Sequence, residues 1–380
     1  MRIAILGAGP AGLYIAYLIK RRQPAADVTV IEQNTANSTF GFGVVFSDRA
    51  LEFLRGDDPE TYAAIVPHME SWNDIAVVLR GERVVIDGVG FAAIGRLLLL
   101  QLLQKRAQSV GVEPIYQRPI KDLGELGTPD LIIGADGVNS LVRRTYEKQF
   151  GATIQFLSNR FAWFGTRKHF ETLTQTFVET ELGCFNAHHY RYASDLSTFI
   201  VEVDQATFDR AGFAQMGEAE TRILCERVFS QALDGDTLIS NNSIWRQFPL
   251  IHNERWSFRN NVLLGDASHT AHFSIGSGTR LAMEDAIALD KALAANSDIG
   301  RGLVAYEESR RPVLEKLLAG AHGSATWYEH FAEHMRLAPA KFAMSYITRS
   351  GRVGFDRLRA ISPRFVEQFE RDSAAKPPAG

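Results

Sequence analysis

Cysteine is scarce in this chain: Cys184 and Cys225 are the two it has, far apart and outside any C-x-x-C pair. They build neither a disulfide scaffold nor a cysteine zinc site, and they fit a reducing, cytoplasmic setting. Long apolar runs are also missing. The longest candidate, residues 97–103, is interrupted by Gln101 and followed by Lys105 and Arg106. A membrane span needs about 18 apolar residues, so no membrane partner is expected. The apolar start at residue 3 is broken at once by glycines and Pro10, unlike a signal peptide. No excess of positive charge exists: 41 Lys and Arg against 44 Asp and Glu give a net charge of -3, so nucleic acid is not an expected partner. His269 and His272 stand three apart with no third ligand in sight, so no metal is expected. Internal repeats are absent. The remainder is ordinary: 380 residues, 46% hydrophobic and 22% charged, enough for two or three globular units.

The first residues carry the strongest pattern. A short β-branched run, residues 3–6, leads into Gly7-Ala-Gly9-Pro10-Ala11-Gly12. A helical pattern follows at Leu13, Ala16 and Tyr17, then a second apolar run, Val28-Thr-Val-Ile31, closed by Glu32 and Gln33. Strand, glycine turn, helix, strand and acid come in the order a dinucleotide-binding βαβ unit needs. Gly7 permits the tight turn, Gly9 lets backbone approach a pyrophosphate, and Gly12 lets helix and strand pack closely. The helix start at Pro10 and Ala11 offers unpaired N–H groups and a positive dipole end to phosphates. Glu32, 20 residues past Gly12, can accept a ribose hydroxyl. The plainer alternative is a glycine-rich turn in some other α/β protein.

Further along, residues 35–47 form a polar, glycine-rich loop containing Val45. Residues 95–106 read as a helix opening at Arg96, and 129–137 as a buried strand ending in a turn. Residues 151–210 change to period-two alternation rich in Phe, Tyr, Thr and Val, the mark of an antiparallel sheet. The first pattern then returns: a strand at 261–266 ending in Asp266, a glycine turn with Gly276 and Gly278, and a helix from Thr279. The expected fold is α/β. A Rossmann-like domain is built from 1–150 and 255–300, with a mixed or antiparallel β-sheet substrate domain, 151–254, inserted into it. A helical region, 301–372, and a disordered tail, 373–380, complete the chain.

Three motifs stand together in order: Gly7-x-Gly9-x-x-Gly12, Asp136-Gly137 and Gly265-Asp266. This set resembles the class A flavoprotein aromatic hydroxylases, the p-hydroxybenzoate hydroxylase family, over nearly the whole chain. The resemblance implies that the first motif holds the ADP part of FAD. It places Asp136-Gly137 behind the pyrophosphate, with links to FAD and NAD(P)H, and sets Asp266 on the ribityl hydroxyls. Arg96 matches the family arginine near the FAD phosphates; otherwise it is a solvated residue at a helix start. Asp266 has the alternative role of a cap for the turn from Ser268. The helix after Gly276, Gly278 and Thr279 is implied to aim its N-terminal amides at the flavin. Two departures are present: the usual proline before this turn is missing, and Arg280 stands where asparagine is common.

Gly41-Phe-Gly-Val-Val-Phe-Ser47 and the segment from His272 to Ala286 resemble a narrower group that hydroxylates aryl-CoA thioesters. The expected activity is therefore an FAD-dependent monooxygenase with NAD(P)H as cosubstrate and O₂ as oxidant. A C4a-hydroperoxyflavin would attack salicyloyl-CoA or 2-aminobenzoyl-CoA at ring position 5. Alternation in the inserted sheet puts His188, Tyr190 and Tyr192 on one face, and His189 and Arg191 on the other. One face should look at the flavin and the other at solvent or a partner. The candidate catalytic residues are His188, Tyr190, His272 and Arg280. Arg160, Arg167, Lys168 and Arg191 are candidate contacts for the CoA phosphates. Alternatives stay open: an indole-type or free aromatic substrate, since violacein-pathway hydroxylases share the Gly-x-Gly-Val-Val and His-Phe-Ser-Ile-Gly patterns, or a non-hydroxylating FAD-binding partner protein. Homodimer formation also stays open.

Overall fold

A computed structural model describes residues 1–39, 41–47 and 51–374. Its first sheet has five strands in the order Ser257–Phe258, Asn261–Leu263, Leu131–Gly134, Arg2–Leu6 and Asp27–Ile31. The central pairings are parallel, with Ile3 opposite both Val28 and Leu131, and Asn261 opposite Ile132. Continuous apolar runs suit strands covered on both faces. Ile3, Ile5 and Ile133 pack with Leu13, Ala16, Leu281 and Leu289, while Leu6, Ile132 and Leu263 pack with Val142 and Phe150. Helix Pro10–Arg22 lies against helix Gly278–Ala295, which brings the first glycine turn and the last one to the same end of the sheet.

The second sheet has eight strands. Its path runs Leu238–Ile239, Ala152–Thr166, Leu196–Val203, Gly183–Ala193, Leu173–Thr180, Ile75–Leu79 and Glu82–Ile86, with Arg246–Asn253 also paired to Ala152–Thr166. All pairings are antiparallel except Leu173–Thr180 with Ile75–Leu79. The sheet thus takes two strands from residues 75–86 as well as from the stretch after 151. A small sheet of Gly43–Ser47, Phe91–Gly95 and Glu70–Trp72 joins the two larger ones.

One face of the large sheet is sealed by the helices Gln205–Ala211, Glu218–Val228 and Ser230–Leu233. Phe164, Phe185, Phe199 and Val201 meet Phe208, Phe213 and Phe229 there. Each such ring contributes about 1.5–3 kcal/mol by leaving water. This corrects the expectation that the His189 side faces solvent or a partner. His189 is buried, stacked 5.2 Å from Phe199, with Nε2 2.8 Å from the Thr176 hydroxyl. A polar residue in an alternating strand says only that it points away from its neighbour, not that water lies there.

The C-terminal part is helical. Helix Ile299–Glu329 is followed by Phe331–His334, Pro339–Thr348, Phe355–Ile361 and Pro363–Ala374. Asp87 fastens the last helix by accepting from the Phe365 N–H at 2.9 Å. Ser373 and Ala374 close that helix, and 375–380 of the expected disordered tail lie outside the described residues. Among the described residues, no helix is long and apolar enough to cross a membrane, and no group of three or more His, Cys, Asp or Glu is placed to hold a metal.

Candidate active site

The glycine turn is shaped by steric need. Gly7 has φ +96°, and a Cβ there would lie 2.3 Å from the Ala135 carbonyl oxygen. A Cβ on Gly12 would lie 1.9 Å from the Gly7 carbonyl oxygen. At Gly9 an added Cβ would meet nothing within 4 Å, so this residue borders open space. Pro10 opens the helix, no side chain caps it, and Ala11 packs against Gly265. Glu32 accepts from the Ala8 N–H at 2.9 Å and from the Asn34 N–H at 2.8 Å. Its carboxylate thereby ties the turn to the second strand, with lone pairs to spare for another donor. Gln33 beside it is exposed.

Arg96 and Asp266 face each other across this end of the sheet. Burial lowers the Arg96 pKa, and the Asp266 charge opposes that; burial raises the Asp266 carboxyl, and Arg96 opposes that. Yet Arg96 is partly accessible and Asp266 is exposed. Groups surrounded by protein and still reached by solvent lie in a deep channel. Neither side chain has a hydrogen-bond or ion-pair partner within hydrogen-bonding reach among the described residues. An unengaged guanidinium, a bare helix start, open space at Gly9 and an acid at a strand end fit a diphosphate and a polyol, the donor set FAD needs.

The turn at Gly265 is fixed from below. Asp285 accepts from the Gly265 N–H at 3.1 Å and the Arg310 Nε–H at 2.7 Å, with His269 Nε2 at 2.7 Å. Burial pushes the Asp285 carboxyl up, but His269 and Arg310 outweigh it and hold it below the ordinary value. Arg310 also pairs with Glu284 at 2.9 Å, and Glu284 with the Nε of Arg280 at 2.7 Å. Arg280 is therefore committed to an ion-pair chain along its helix, and the structure does not bring it to His188 and His272. Gly276 has φ +58°, and a Cβ there would lie 2.9 Å from Val45 Cγ1, so these two residues press together. Gly278 borders open space, and Thr279 beside it is half-buried.

The inner face of the large sheet gathers His188, Glu202 and His272. His188 Nε2 lies 3.1 Å from Glu202 Oε2, and Glu202 Oε1 accepts from Asn159 Nδ2 at 2.9 Å. The His188 ring stacks on Tyr328 at 4.9 Å and meets Phe273 edge-on at 5.2 Å. Burial pushes the Glu202 carboxyl up to about 7, with His272 opposing. Burial likewise takes His188 down to about 3 and His272 to about 4. His272 Nδ1 lies 2.7 Å from the Ser274 hydroxyl, which lies 2.8 Å from the Ser324 hydroxyl; Arg349 donates to Ser324 at 2.9 Å. Tyr190 sits on the same strand face, but its hydroxyl donates to the Gly43 carbonyl oxygen at 3.0 Å. It anchors the loop rather than presenting a free hydroxyl.

Sequence reasoning missed Glu202, Asn159, Tyr328 and Arg349. Glu202 had a signal: it is the lone acid inside the apolar strand Leu196–Val203. The other three come from distant elements and left none. Of the cations expected to meet CoA phosphates, Arg191 is engaged by Glu70 at 2.9 Å and by the carbonyls of Phe170, Glu171 and Ser71. Arg167 pairs with Asp195, Lys168 with Asp234, and Arg160 donates to Gln205.

Residues 103–321 match the FAD binding domain family, and residues 5–41 match the NAD(P)-binding Rossmann-like domain. Salicyloyl-CoA 5-hydroxylase of a Streptomyces species is 42% identical over 361 residues, covering 92% of this chain and 70% of that protein. The 3-hydroxy-4-methyl-anthranilyl-[aryl-carrier protein] 5-monooxygenase of Streptosporangium sibiricum is 36% identical, covering 86% of this chain and 89% of that protein. In fold, the tetrameric form of 2-methyl-3-hydroxypyridine-5-carboxylic acid oxygenase superposes with a TM-score of 0.71 over 95% of each chain, at 18% identity. The motif set, the fold and these relatives agree: this chain belongs to the FAD-dependent aromatic monooxygenases, with NAD(P)H as their cosubstrate.

Proposed function

We propose that this chain hydroxylates an aryl thioester bearing a 2-hydroxy or 2-amino group, at ring position 5, with salicyloyl-CoA or 2-aminobenzoyl-CoA as the leading substrates. The supporting observation is shared by the two relatives. One is named for a CoA thioester and the other for a carrier-protein aryl substrate, and both are named for oxidation at position 5. CoA and carrier proteins both hold an acyl group as the thioester of a pantetheine arm.

FAD, reduced by NAD(P)H and open to O₂, supplies an electrophilic oxygen when bound. This chain's residues do the rest. The Gly7–Gly12 turn and Arg96 hold the diphosphate, Glu32 takes a ribose hydroxyl, and Asp266 takes the ribityl chain. Gln33, Val45, Gly276, Gly278 and Thr279 border the cofactor. The ring must present its position 5, which is para to the 2-substituent. With Glu202 ionised, His188 donates Nε2–H to it and keeps Nδ1 as an acceptor. The pair can then take the proton of a 2-hydroxy group, or accept a hydrogen bond from a 2-amino group whose own lone pair feeds the ring; in either case the added density falls on the para carbon. Phe273, Tyr328 and Phe161 enclose this region and exclude water, with Phe161 and Phe273 rings 4.9 Å apart. His272, held by Ser274, borders the pair; Tyr190 supports the Gly43 loop. Arg280 enters only as a supporting residue of its helix.

NAD(P)H oxidation and ¹⁸O₂ incorporation, measured for free acids and their CoA thioesters, test this proposal. A 5-hydroxylated thioester carrying ¹⁸O is expected. Equal coupled hydroxylation of free salicylate and its thioester would move a free aromatic substrate to first place.

A further inference from the structure

The buried His188–Glu202 pair has a buried neighbour, His272, that also borders a cleft. His272 lines a cleft of about 350 Å³ between the paired strands Ala152–Thr166 and Arg246–Asn253 and the helix Ile299–Glu329. That volume falls in the range of small-molecule sites, about 300–1,000 Å³. One wall carries Thr153 and Gln155, and the other carries Leu318 and His322. Neither the Thr153 hydroxyl nor the Gln155 amide is engaged by another described residue. The floor is held rigid: Thr270 donates to the Pro249 carbonyl oxygen at 2.6 Å and accepts from the Ile251 N–H at 2.9 Å.

We propose that this cleft receives the pantetheine arm of the substrate, with the aryl ring carried past His272 toward His188 and Glu202. The inference rests on the thioester reading above. A pantetheine arm combines amides with methylene and methyl groups, and the cleft combines the polar groups of Thr153 and Gln155 with the apolar Leu250, Leu318 and Ala321. The opposite flank of the sheet offers no comparable handle, because Arg160, Arg167, Lys168 and Arg191 are all held by protein partners. His272 is the residue the two share: it lines the cleft and its charge acts on the Glu202 carboxyl.

Thr153→Trp narrows the cleft from the sheet, and His322→Trp from the helix; both positions are exposed and tolerate bulk without disturbing the core. The readout is the KM for the aryl-CoA thioester divided by that for the same aryl group on N-acetylcysteamine, which lacks most of the arm. Each variant should raise this ratio tenfold or more, with flavin content and melting temperature unchanged. Phe156→Ser, on the same strand but outside the cleft lining, should leave the ratio at the wild-type value. Repeating the assay with the aryl group on a carrier protein separates the two sources of the arm, since the better substrate is the one whose KM the Trp variants raise. If wild-type protein turns over no thioester, the substrate reading fails. If it does and both Trp variants keep the wild-type ratio, the entry route fails and the substrate reading stands.

Discussion

Glu202→Gln separates a working base from a structural carboxylate. Glu202 is 2% exposed, and its carboxyl is pushed up to about 7 by burial. Gln keeps the shape and still accepts from Asn159 at Oε1; its amide can donate to His188, whose ring must then change tautomer. In the folded protein Glu202 binds its proton more tightly than in the unfolded chain. Its favourable contribution is present at acid pH and is lost as pH rises through about 7. The gap from the ordinary value corresponds to on the order of 3 kcal/mol of penalty for the ionised form at pH 8. Glu202→Gln should recover part of that, so urea unfolding at pH 8 should find the variant as stable as wild type or more so, with the advantage shrinking toward pH 5. Catalysis should move the other way. Wild-type kcat with the thioester should rise with pH through an inflection near 7, and the variant should lose that limb together with about 10²–10⁴ of rate. A variant that retains both the limb and the turnover would refute the assignment of Glu202 as base, whatever its stability.

Gly9→Val places a branched side chain in the open space beside the turn; the purified variant should lose FAD, read as the flavin-to-protein absorbance ratio, and full occupancy would displace the dinucleotide from this turn. His188 and His189 at about 3 and His272 at about 4 are neutral in the fold but take protons in the unfolded chain below about 6.5. Stability should therefore be whole above pH 6.5 and fall as pH drops, by up to about 2 kcal/mol per histidine at pH 5, partly offset by Glu202; a melting temperature flat from pH 8 to 5 contradicts this. Arg280→Ala breaks one end of the Arg280–Glu284–Arg310 chain, an i,i+4 pair with a cost on the order of 0.5–1 kcal/mol. Stopped-flow flavin reduction should change less than twofold, and a tenfold slowing would return Arg280 to the flavin.

How much of this was legible beforehand divides along physical lines. Local steric rules survive translation from sequence to structure. Gly7 and Gly12 are required by contacts of 2.3 and 1.9 Å that any side chain would create, and a motif expresses that need directly. Strand alternation also held, placing His188 and Tyr190 on one face and His189 on the other. What alternation cannot carry is the identity of the opposing layer. His189 met helices instead of solvent because residues 205–233 fold back over the sheet, and nothing in the strand encodes that. The same limit separated Tyr190 from His188: both face inward, but Tyr190 opposes Gly43, whose carbonyl consumes its hydroxyl.

A count of partners separates the charged residues. Arg160, Arg167, Lys168 and Arg191 were singled out as CoA contacts, and Arg280 as a catalytic candidate. Each is engaged by a neighbour from its own helix or from an adjoining helix, strand or loop. Arg96, by contrast, has no such partner among the described residues, and it faces an acid in the same condition, Asp266. A half-buried guanidinium without a hydrogen-bonded acceptor is placed to bind an anion. On the proposed placement of FAD, the flavin diphosphate would be that anion and would add to this protein's stability as well as its chemistry. Adding FAD to flavin-depleted protein should accordingly raise its melting temperature, and Arg96→Met should shrink that rise while leaving the depleted protein no less stable than wild type.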